Sequence, residues 1–261
     1  MKDFLSLKGN INHSVCRWCY DQFSLSELCV EAKKLGIKSI DLVGPEDFDI
    51  LDDHDLDCGM VYGLPAPYGI EKSFNRIENH DDLYDIYVDL IPKVSDAGFK
   101  NIICFSGNRL GMSDQQGLEN CAKGLKQIMP LAEKNKVKIV IELLNSKIDH
   151  PDYQCDHTAW AVELCRQVGH ENFGILYDIY HMQIMEGNII ETIRKNHKYI
   201  VHYHTGGVPG RNEIDETQEL NYPAIMKAII KTGFTGYIAQ EFIPKNDPME
   251  SLKKAIMLCD I

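Results

Sequence analysis

Residues 158–179 read TAWAVELCRQVGHENFGILYDI, and this stretch contains one complete structural unit. Apolar residues at helical spacing predict a helix over Thr158–Val168. Gly169 follows at the position after a helix where glycine takes the left-handed backbone conformation without strain. The apolar run 174–179 then predicts a buried strand with a carboxylate, Asp178, near its end. The stretch therefore predicts a helix, a glycine stop and a strand in succession.

The same unit recurs along the chain. Apolar runs predict eight strands, at residues 10–16, 39–43, 59–62, 101–106, 138–144, 174–179, 200–204 and 236–242. Amphipathic stretches predict helices at residues 26–35, 82–97, 114–134, 158–168, 187–196, 222–231 and 248–258. Glycines stand between a helix and the next strand at Gly36, Gly98, Gly169 and Gly233. The third unit is less regular, because residues 63–79 contain two prolines and are predicted as a long loop.

Alternating strands and helices predict parallel strands joined by right-handed crossovers. Eight such units in 261 residues favour a closed (β/α)8 TIM barrel in the α/β class, which typically needs roughly 250 residues. No linker or change of composition divides the chain, so we expect a single domain over residues 1–261. A doubly wound open sheet is the alternative, but no glycine-rich nucleotide-binding motif opens any of the helices.

Charge and composition exclude several classes of protein. The formal charge of −12 opposes binding to a phosphate backbone, and the densest basic stretches, 134–138 and 194–198, lie where helices end. No run approaches the roughly 18 apolar residues of a membrane span, and residues 1–4 lead into mixed polar sequence rather than a secretion signal. We therefore expect a soluble cytoplasmic protein with no nucleic-acid or membrane partner.

The nine cysteines are an odd number, and several fall inside apolar patterns, which predicts reduced thiols. Cys16 and Cys19 form a C-x-x-C pair that could be half of a zinc site or a redox pair. No second pair completes a zinc site. A packing role at the end of the first strand is the favoured interpretation.

Chemically useful side chains end each of the last four predicted strands: Glu142, Asp178, His204 and Glu241. In a barrel, the carboxyl ends of the strands face the active site. Three carboxylates gathered there would repel one another, and a divalent cation would resolve the conflict. Oxygen and imidazole ligands suit Mg²⁺ or Mn²⁺, with Zn²⁺ or Co²⁺ as alternatives. The sequence predicts one divalent metal ion at this position.

Three further residues are close to this predicted site in sequence. His181 follows Asp178 by three residues and could face the cavity without binding the metal, or could cap a helix. Arg211 lies in a glycine-rich loop and could bind a carboxylate or hydroxyls of a substrate, or could be an ordinary surface arginine. His202 precedes His204 by one strand period, so we expect a hydrogen-bonded core histidine one layer deeper.

Glu142, the run Asp-Ile-Tyr-His at 178–181, His204, Arg211 and Glu241 together resemble the xylose-isomerase-like barrel superfamily. That superfamily includes hydroxypyruvate isomerases, ketose 3-epimerases and endonuclease IV. The stretch 177–187, YDIYHMQIMEG, is particularly similar to hydroxypyruvate isomerases. The resemblance covers essentially the whole chain, although its specific motifs lie in the second half.

This resemblance implies an activity. It implies one Mg²⁺ or Mn²⁺ ion held by Glu142, Asp178, His204 and Glu241, with the two glutamates as the acid and base. It also implies proton transfer through a cis-enediolate, as in the conversion of hydroxypyruvate to tartronate semialdehyde. We accordingly expect an isomerase with a small hydroxy-carbonyl substrate. Barrels of this group often pair, so a homo-oligomer is a further expectation.

The substrate stays open at this stage. Some hydroxypyruvate isomerases have glutamine where this chain has His204, which resembles the ketose epimerases more closely. The epimerases tend to carry a further glutamate at the place of Ile148. A ketose 3-epimerase or a sugar-phosphate isomerase is therefore an alternative, and a related dehydratase needs nearly the same groups.

Two alternatives come from other functional classes. Endonuclease IV shares the ligand positions, but its zinc site also needs histidines after strands two to four and an Asp-x-His after strand seven, which are missing from this sequence. An inactive binding barrel is the other alternative, since a fold alone does not prove activity. Retention of all four candidate ligands argues against it.

Overall fold

The computed structural model describes residues 5–261, which form one curled parallel sheet surrounded by helices. The strands are β1 (Asn12–Cys16), β2 (Ser39–Asp41), β3 (Asn101–Cys104), β4 (Lys138–Glu142), β5 (Phe173–Asp178), β6 (Ile200–Thr205) and β7 (Tyr237–Gln240). They are hydrogen-bonded in the order β2-β1-β7-β6-β5-β4-β3. The first strand thus lies beside the last, as in a TIM barrel, and the predicted fold class is confirmed.

The prediction of a strand at residues 59–62 is wrong in its detail. Val61 forms only single-residue parallel bridges, to Val43 on one side and to Ile102 on the other. The ladder is interrupted because the backbone of Gly59 bonds to side chains: its N–H donates to Ser39 Oγ at 2.6 Å, and its carbonyl accepts from Asn101 Nδ2 at 2.9 Å. This extended segment spans the gap between β2 and β3 without becoming a regular strand.

The helices follow the predicted pattern with two additions. They are α1 (Leu25–Lys34), α2 (Phe48–Asp53), α3 (His80–Asp96), α4 (Asp114–Lys134), α5 (Thr158–Val168), α6 (Ile179–Met185), α7 (Ile189–Asn196), α8 (Tyr222–Lys231) and α9 (Pro248–Cys259). The seven predicted helices begin and end within two residues of the observed bounds, and α2 and α6 are the additions. The chain enters α6 directly from β5, because the Asp178 side chain accepts the N–H of His181 at 2.9 Å and caps the helix. The sequence pattern had placed Ile179 in the strand.

The four glycines predicted after helices have φ angles between 65° and 82°, in the left-handed region. Gly169, with φ 65°, ends α5 and donates its N–H to the carbonyl of Cys165. These stops turn the chain back toward the sheet before β2, β3, β5 and β7. All strand pairings are parallel, so every strand starts at the same end of the barrel. The carboxyl ends of the strands therefore share the opposite end.

Two sequence expectations concern membranes and cysteines. None of the helices among residues 5–261 combines the length and the apolar character needed to cross a membrane. Residues 1–4, on which the prediction about secretion rests, lie outside the described residues. All nine cysteines are free and buried, and the burial of Cys16 and Cys19 agrees with a packing role.

Candidate active site

The four side chains predicted as metal ligands meet at the carboxyl ends of neighbouring strands. Glu142 and Asp178 are the last residues of β4 and β5, His204 lies near the end of β6, and Glu241 follows β7. Asp178 and His204 are register partners in the pairing of β5 with β6. One potential ligand atom from each of the four residues lies within 4.8 Å of the others, and all four side chains are buried. The structure therefore brings together all four predicted residues.

The contacts within this cluster leave polar atoms unpaired. His204 Nδ1 lies 3.0 Å from Glu241 Oε2 and 3.3 Å from Glu142 Oε1. Glu142 Oε1 and Asp178 Oδ2 are buried and have no hydrogen-bond partner. A buried carboxylate oxygen without a partner is costly, since burial removes the water that would solvate it. Three carboxylates and one imidazole with unpaired oxygens fit a divalent cation.

The ionisation of the carboxylates shows the same shortage of positive charge. Burial raises the pKa of Glu142 above its ordinary value. Burial and the charge of Glu241 raise the pKa of Asp178 well above its ordinary value. Burial alone would also raise the pKa of Glu241, but Arg211 and His204 lower it well below its ordinary value. Glu241 is therefore the carboxylate whose charge neighbouring groups of the protein compensate, whereas burial disfavours the charged forms of Glu142 and Asp178.

Arg211, predicted to bind substrate, is part of this cluster. Its Nη2 donates to Glu241 Oε2 at 2.6 Å and lies 3.7 Å from Asp178 Oδ2. The guanidinium lies over the rings of Trp18 and Tyr180, at 5.0 and 5.4 Å from their centroids. Only 12% of its side chain is exposed, so the alternative of an ordinary surface arginine is wrong. Contact with a substrate stays a prediction.

His181 directs one ring nitrogen into the site. Its Nδ1 accepts the backbone N–H of Asn145 at 3.1 Å, which places the ring proton of the neutral imidazole on Nε2. That Nε2 is buried without a partner and lies 3.8 Å from Asp178 Oδ2. Burial and the charge of Arg211 lower the pKa of His181 well below its ordinary value, so the ring stays neutral. The helix cap involves the backbone N–H of His181, which leaves the imidazole free to act as a donor.

Two further residues, Trp18 and Asp41, contact the cluster, and sequence reasoning missed Asp41. Trp18, in the short 3₁₀ turn after β1, donates Nε1–H to Glu241 Oε1 at 2.8 Å. Asp41, the last residue of β2, contacts His202 Nε2 at 2.5 Å and His204 Nε2 at 3.4 Å. His202 is fully buried and hydrogen-bonded, as predicted for a core histidine. Asp41 does end an apolar strand, so its position was the available signal.

A cavity of about 360 Å³ opens beside the cluster. Glu142, Glu241 and Arg211 form its polar wall together with His150, and apolar side chains such as Phe105 form the remainder. A pocket of this size with a few polar groups on one side is typical of a small-molecule site. The basic residues that line it are Arg211 and His150, and Arg211 is already bound to carboxylates.

Comparisons with known proteins identify a family for this chain and relatives that are named isomerases. A family model described as "Xylose isomerase-like TIM barrel" matches residues 30–259. The chain is 27% identical to the hydroxypyruvate isomerase of Escherichia coli (strain K12) over 232 residues, which are 85% of this chain and 89% of that protein. It is 33% identical to the putative hydroxypyruvate isomerase of Homo sapiens over 122 residues, which are 47% of this chain and 44% of the human protein. The chain thus matches less than half the length of the human relative.

Among solved structures, the fold is similar to that of an AP endonuclease, family 2, from Brucella melitensis. The TM-score is 0.85 at 21% identity, over 93% of this chain and 97% of that one. Identity this low shows a shared fold and does not extend to activity. The name of that protein therefore adds nothing to the nuclease alternative.

Proposed function

Since the chain belongs to the xylose isomerase-like TIM barrel family, we propose that it is a divalent-metal-dependent isomerase of a small hydroxy-carbonyl compound. The proposed reaction converts hydroxypyruvate to tartronate semialdehyde, as the names of the bacterial and human relatives suggest. The observation that carries the proposal is the convergence of three carboxylates and one imidazole, with potential ligand atoms within 4.8 Å of one another.

The proposed ligands of the metal are Glu142, Asp178, His204 and Glu241. The unpaired oxygens of Glu142 and Asp178 support this assignment, because a cation would satisfy both. Mg²⁺ or Mn²⁺ suits the oxygen-rich set, and Zn²⁺ or Co²⁺ is the alternative. When bound, such an ion would stabilise the negative charge that develops on substrate oxygens during proton removal.

Glu142 and Glu241 are the proposed acid and base. A proton leaves the carbon that carries the hydroxyl group, a cis-enediolate forms, and a proton returns to the neighbouring carbon. Glu142 is assigned as the base, because its Oε1 has no hydrogen-bond partner in the protein. Both oxygens of Glu241 accept hydrogen bonds, from Trp18 and from Arg211, so this side chain is held in one orientation.

His181 and Arg211 are the proposed substrate-binding residues. The Nε2–H of His181 is a buried donor without a partner in the protein, so it is available to a substrate oxygen. The positively charged guanidinium of Arg211 contacts Glu241 and lines the cavity that the substrate would occupy. The apolar wall of the cavity would exclude water from the enediolate, which strengthens these polar contacts.

A ketose 3-epimerase is the second candidate. His204 favours it, because the ketose epimerases resemble this chain at that position more closely than some hydroxypyruvate isomerases do. A sugar-phosphate substrate is less well supported, since the arginine that lines the cavity is already bound to Glu241. Among the described residues that line this cavity, no arginine or lysine other than Arg211 is present.

The test is isotope exchange in deuterated water. Protein loaded with Mn²⁺ or Mg²⁺ is incubated with hydroxypyruvate or with a panel of ketoses, and label on carbon is followed by NMR. The expected result is deuterium incorporation and formation of tartronate semialdehyde from hydroxypyruvate. Exchange with ketoses alone would favour the epimerase. Absence of exchange with every substrate would overturn the proposal.

Glu142→Gln is the matched variant, because it removes the carboxylate that is proposed both as base and as metal ligand while keeping the size of the side chain. Exchange by this variant at the rate of the unmodified protein would show that another group moves the proton. Exchange that persists after removal of all divalent ions by a chelator would overturn the metal dependence.

A further inference from the structure

A buried carboxylate lies next to the candidate metal cluster and has no role in the proposed reaction. Asp41, at the end of β2, is completely buried. Its Oδ2 lies 2.5 Å from His202 Nε2 and 3.4 Å from His204 Nε2. Its Oδ1 accepts the hydroxyl protons of Ser14 at 2.5 Å and of Ser39 at 3.3 Å. Both oxygens are thus surrounded by donors, which an acceptor-only carboxylate satisfies completely.

The imidazole of His204 connects this carboxylate to the cluster. Its Nδ1 faces Glu241 and Glu142, at 3.0 and 3.3 Å. Its Nε2 faces Asp41 Oδ2 and, at 3.6 Å, Cys16 Sγ. The two sides of one ring therefore meet two different groups of side chains. The neutral ring carries one proton, and the group that accepts this proton in a hydrogen bond determines which nitrogen carries it. The other nitrogen then has a free lone pair.

Binding of a cation through Nδ1 requires that the single proton of the neutral ring is on Nε2. A carboxylate oxygen is a much stronger acceptor for that N–H than a thiol sulfur. Asp41 is the carboxylate within hydrogen-bonding distance of Nε2. His202 contacts the same oxygen of Asp41, whereas the two serines contact the other oxygen.

We propose that Asp41 is a positioning residue for the metal site. It accepts the Nε2–H of His204 and so leaves the Nδ1 lone pair free for the cation. The inference rests on the proposed function in one respect, namely that His204 is a metal ligand. Asp41 and His204 are 163 residues apart in sequence. Asp41 lies at the end of β2 and His204 near the end of β6, and the barrel brings the two side chains together.

The informative substitution is Asp41→Asn. It keeps the shape of the side chain, but one of its two polar atoms becomes an NH₂ group. One orientation of the amide places that NH₂ against the imidazoles. In the other orientation the serine hydroxyls can accept the NH₂, since Ser14 can donate to the Ser39 carbonyl instead, but the imidazoles then face a neutral amide oxygen, a weaker acceptor than a carboxylate. Loss of a carboxylate that orients a metal-binding histidine typically weakens metal affinity by about 10- to 100-fold. We expect a loss of that size for Mn²⁺, measured by isothermal titration calorimetry.

Ser14→Ala is the matched control. It removes a hydrogen bond from Oδ1 of the same carboxylate and leaves both imidazoles on Oδ2. We expect this variant to bind Mn²⁺ with unchanged affinity, even if it is less stable. A general loosening of the buried layer would instead weaken Mn²⁺ binding in both variants, and this outcome would overturn the proposal.

The tautomer of His204 tests the premise of the proposal, that the cation binds through Nδ1 while Asp41 faces the protonated Nε2. In the Zn²⁺-loaded protein, ¹⁵N NMR should show a proton on Nε2 and none on Nδ1 of His204. This measurement uses the unmodified protein, so the proposal can be overturned even if Asp41→Asn does not fold. A proton on Nδ1 in the metal-loaded protein would overturn the proposal.

The outcomes separate this inference from the proposed function. Weaker Mn²⁺ binding by Asp41→Asn together with no isotope exchange on any substrate would support the positioning role and overturn the isomerase. Isotope exchange by the unmodified protein together with unchanged Mn²⁺ affinity of Asp41→Asn would do the reverse. Failure of the unmodified protein to bind any divalent ion would overturn both.

Discussion

Replacing Arg211 by methionine should destabilise the metal-free protein more than the metal-loaded protein. The guanidinium is the cation that contacts both Glu241 Oε2, at 2.6 Å, and Asp178 Oδ2, at 3.7 Å. Removal of one partner from a buried ion pair costs about 3–5 kcal/mol, because the other charge stays buried without compensation. Protonation of a carboxylate can relieve part of this cost. We therefore expect the lower end of the range, about 3 kcal/mol, in the absence of metal.

A divalent ion should reduce this deficit, because it supplies positive charge to the same carboxylates. An ion at 100 times its dissociation constant stabilises the folded state by about 2.7 kcal/mol. If the ion binds the variant more tightly than the unmodified protein, the gain is larger for the variant and the difference between the two shrinks. The assay is urea unfolding of both proteins, with a chelator and then with saturating Mn²⁺.

Arg109→Met is the matched control. Arg109 also bridges two carboxylates, Asp114 and Asp156, each at 3.0 Å, but it contacts none of the candidate ligands. Its deficit should be the same with and without Mn²⁺. The reasoning is refuted if Arg211→Met loses less than about 1 kcal/mol without metal, or if its deficit does not respond to Mn²⁺.

Two further predictions concern the candidate site, and a third concerns the buried His13 in β1. Glu142→Gln should lower kcat by about 10²- to 10⁴-fold, because the proposed base is lost; a rate within tenfold of the unmodified protein in the isotope-exchange assay would contradict that role. His181→Phe should lower kcat/KM while Mn²⁺ affinity is retained, since the lost Nε2–H has no partner in the protein and His181 is not a proposed ligand; calorimetry and kinetics together check this, and a parallel loss of metal affinity would count against it. Burial, opposed by Asp260, lowers the pKa of His13 from 6.5 to about 4, so the folded state binds its proton less readily than the unfolded state. The free energy of unfolding is therefore unaffected by protonation of His13 above about pH 6.5. As the pH falls from there to about 4, it decreases by about 3 kcal/mol, at 1.36 kcal/mol per pKa unit. His13→Gln should flatten the pH dependence of the unfolding free energy in this window, and an unchanged slope would refute the assignment.

The positions of the four candidate ligands could be predicted from local sequence. Each of Glu142, Asp178, His204 and Glu241 follows an apolar run that was predicted as a strand, and all strands of a parallel barrel end on the same side. The convergence of these residues therefore needs only the alternation of strands and helices. Helix ends were predictable for the same reason, since glycine stops act over a few residues.

Contacts between distant segments could not be read in this way. Residues 59–62 have a strand-like sequence, but Gly59 bonds to the side chains of Ser39 and Asn101, which interrupts the ladder. The ring proton of His181 is placed by Asn145, and no local pattern links the two residues. Only the folded barrel decides these pairings.

The amino-acid sequence by itself determined the repeating unit, the end of each strand that carries chemistry, and the residue types present there. The tertiary structure decided which side chains pair across the barrel: Asp41 with His202 and His204, and Arg211 with Glu241. The physical reason is the range of the forces involved. Helix and strand periodicity arise from backbone geometry over a few residues, whereas a buried charge is satisfied by whichever donor the fold brings within about 3 Å, at any distance along the chain.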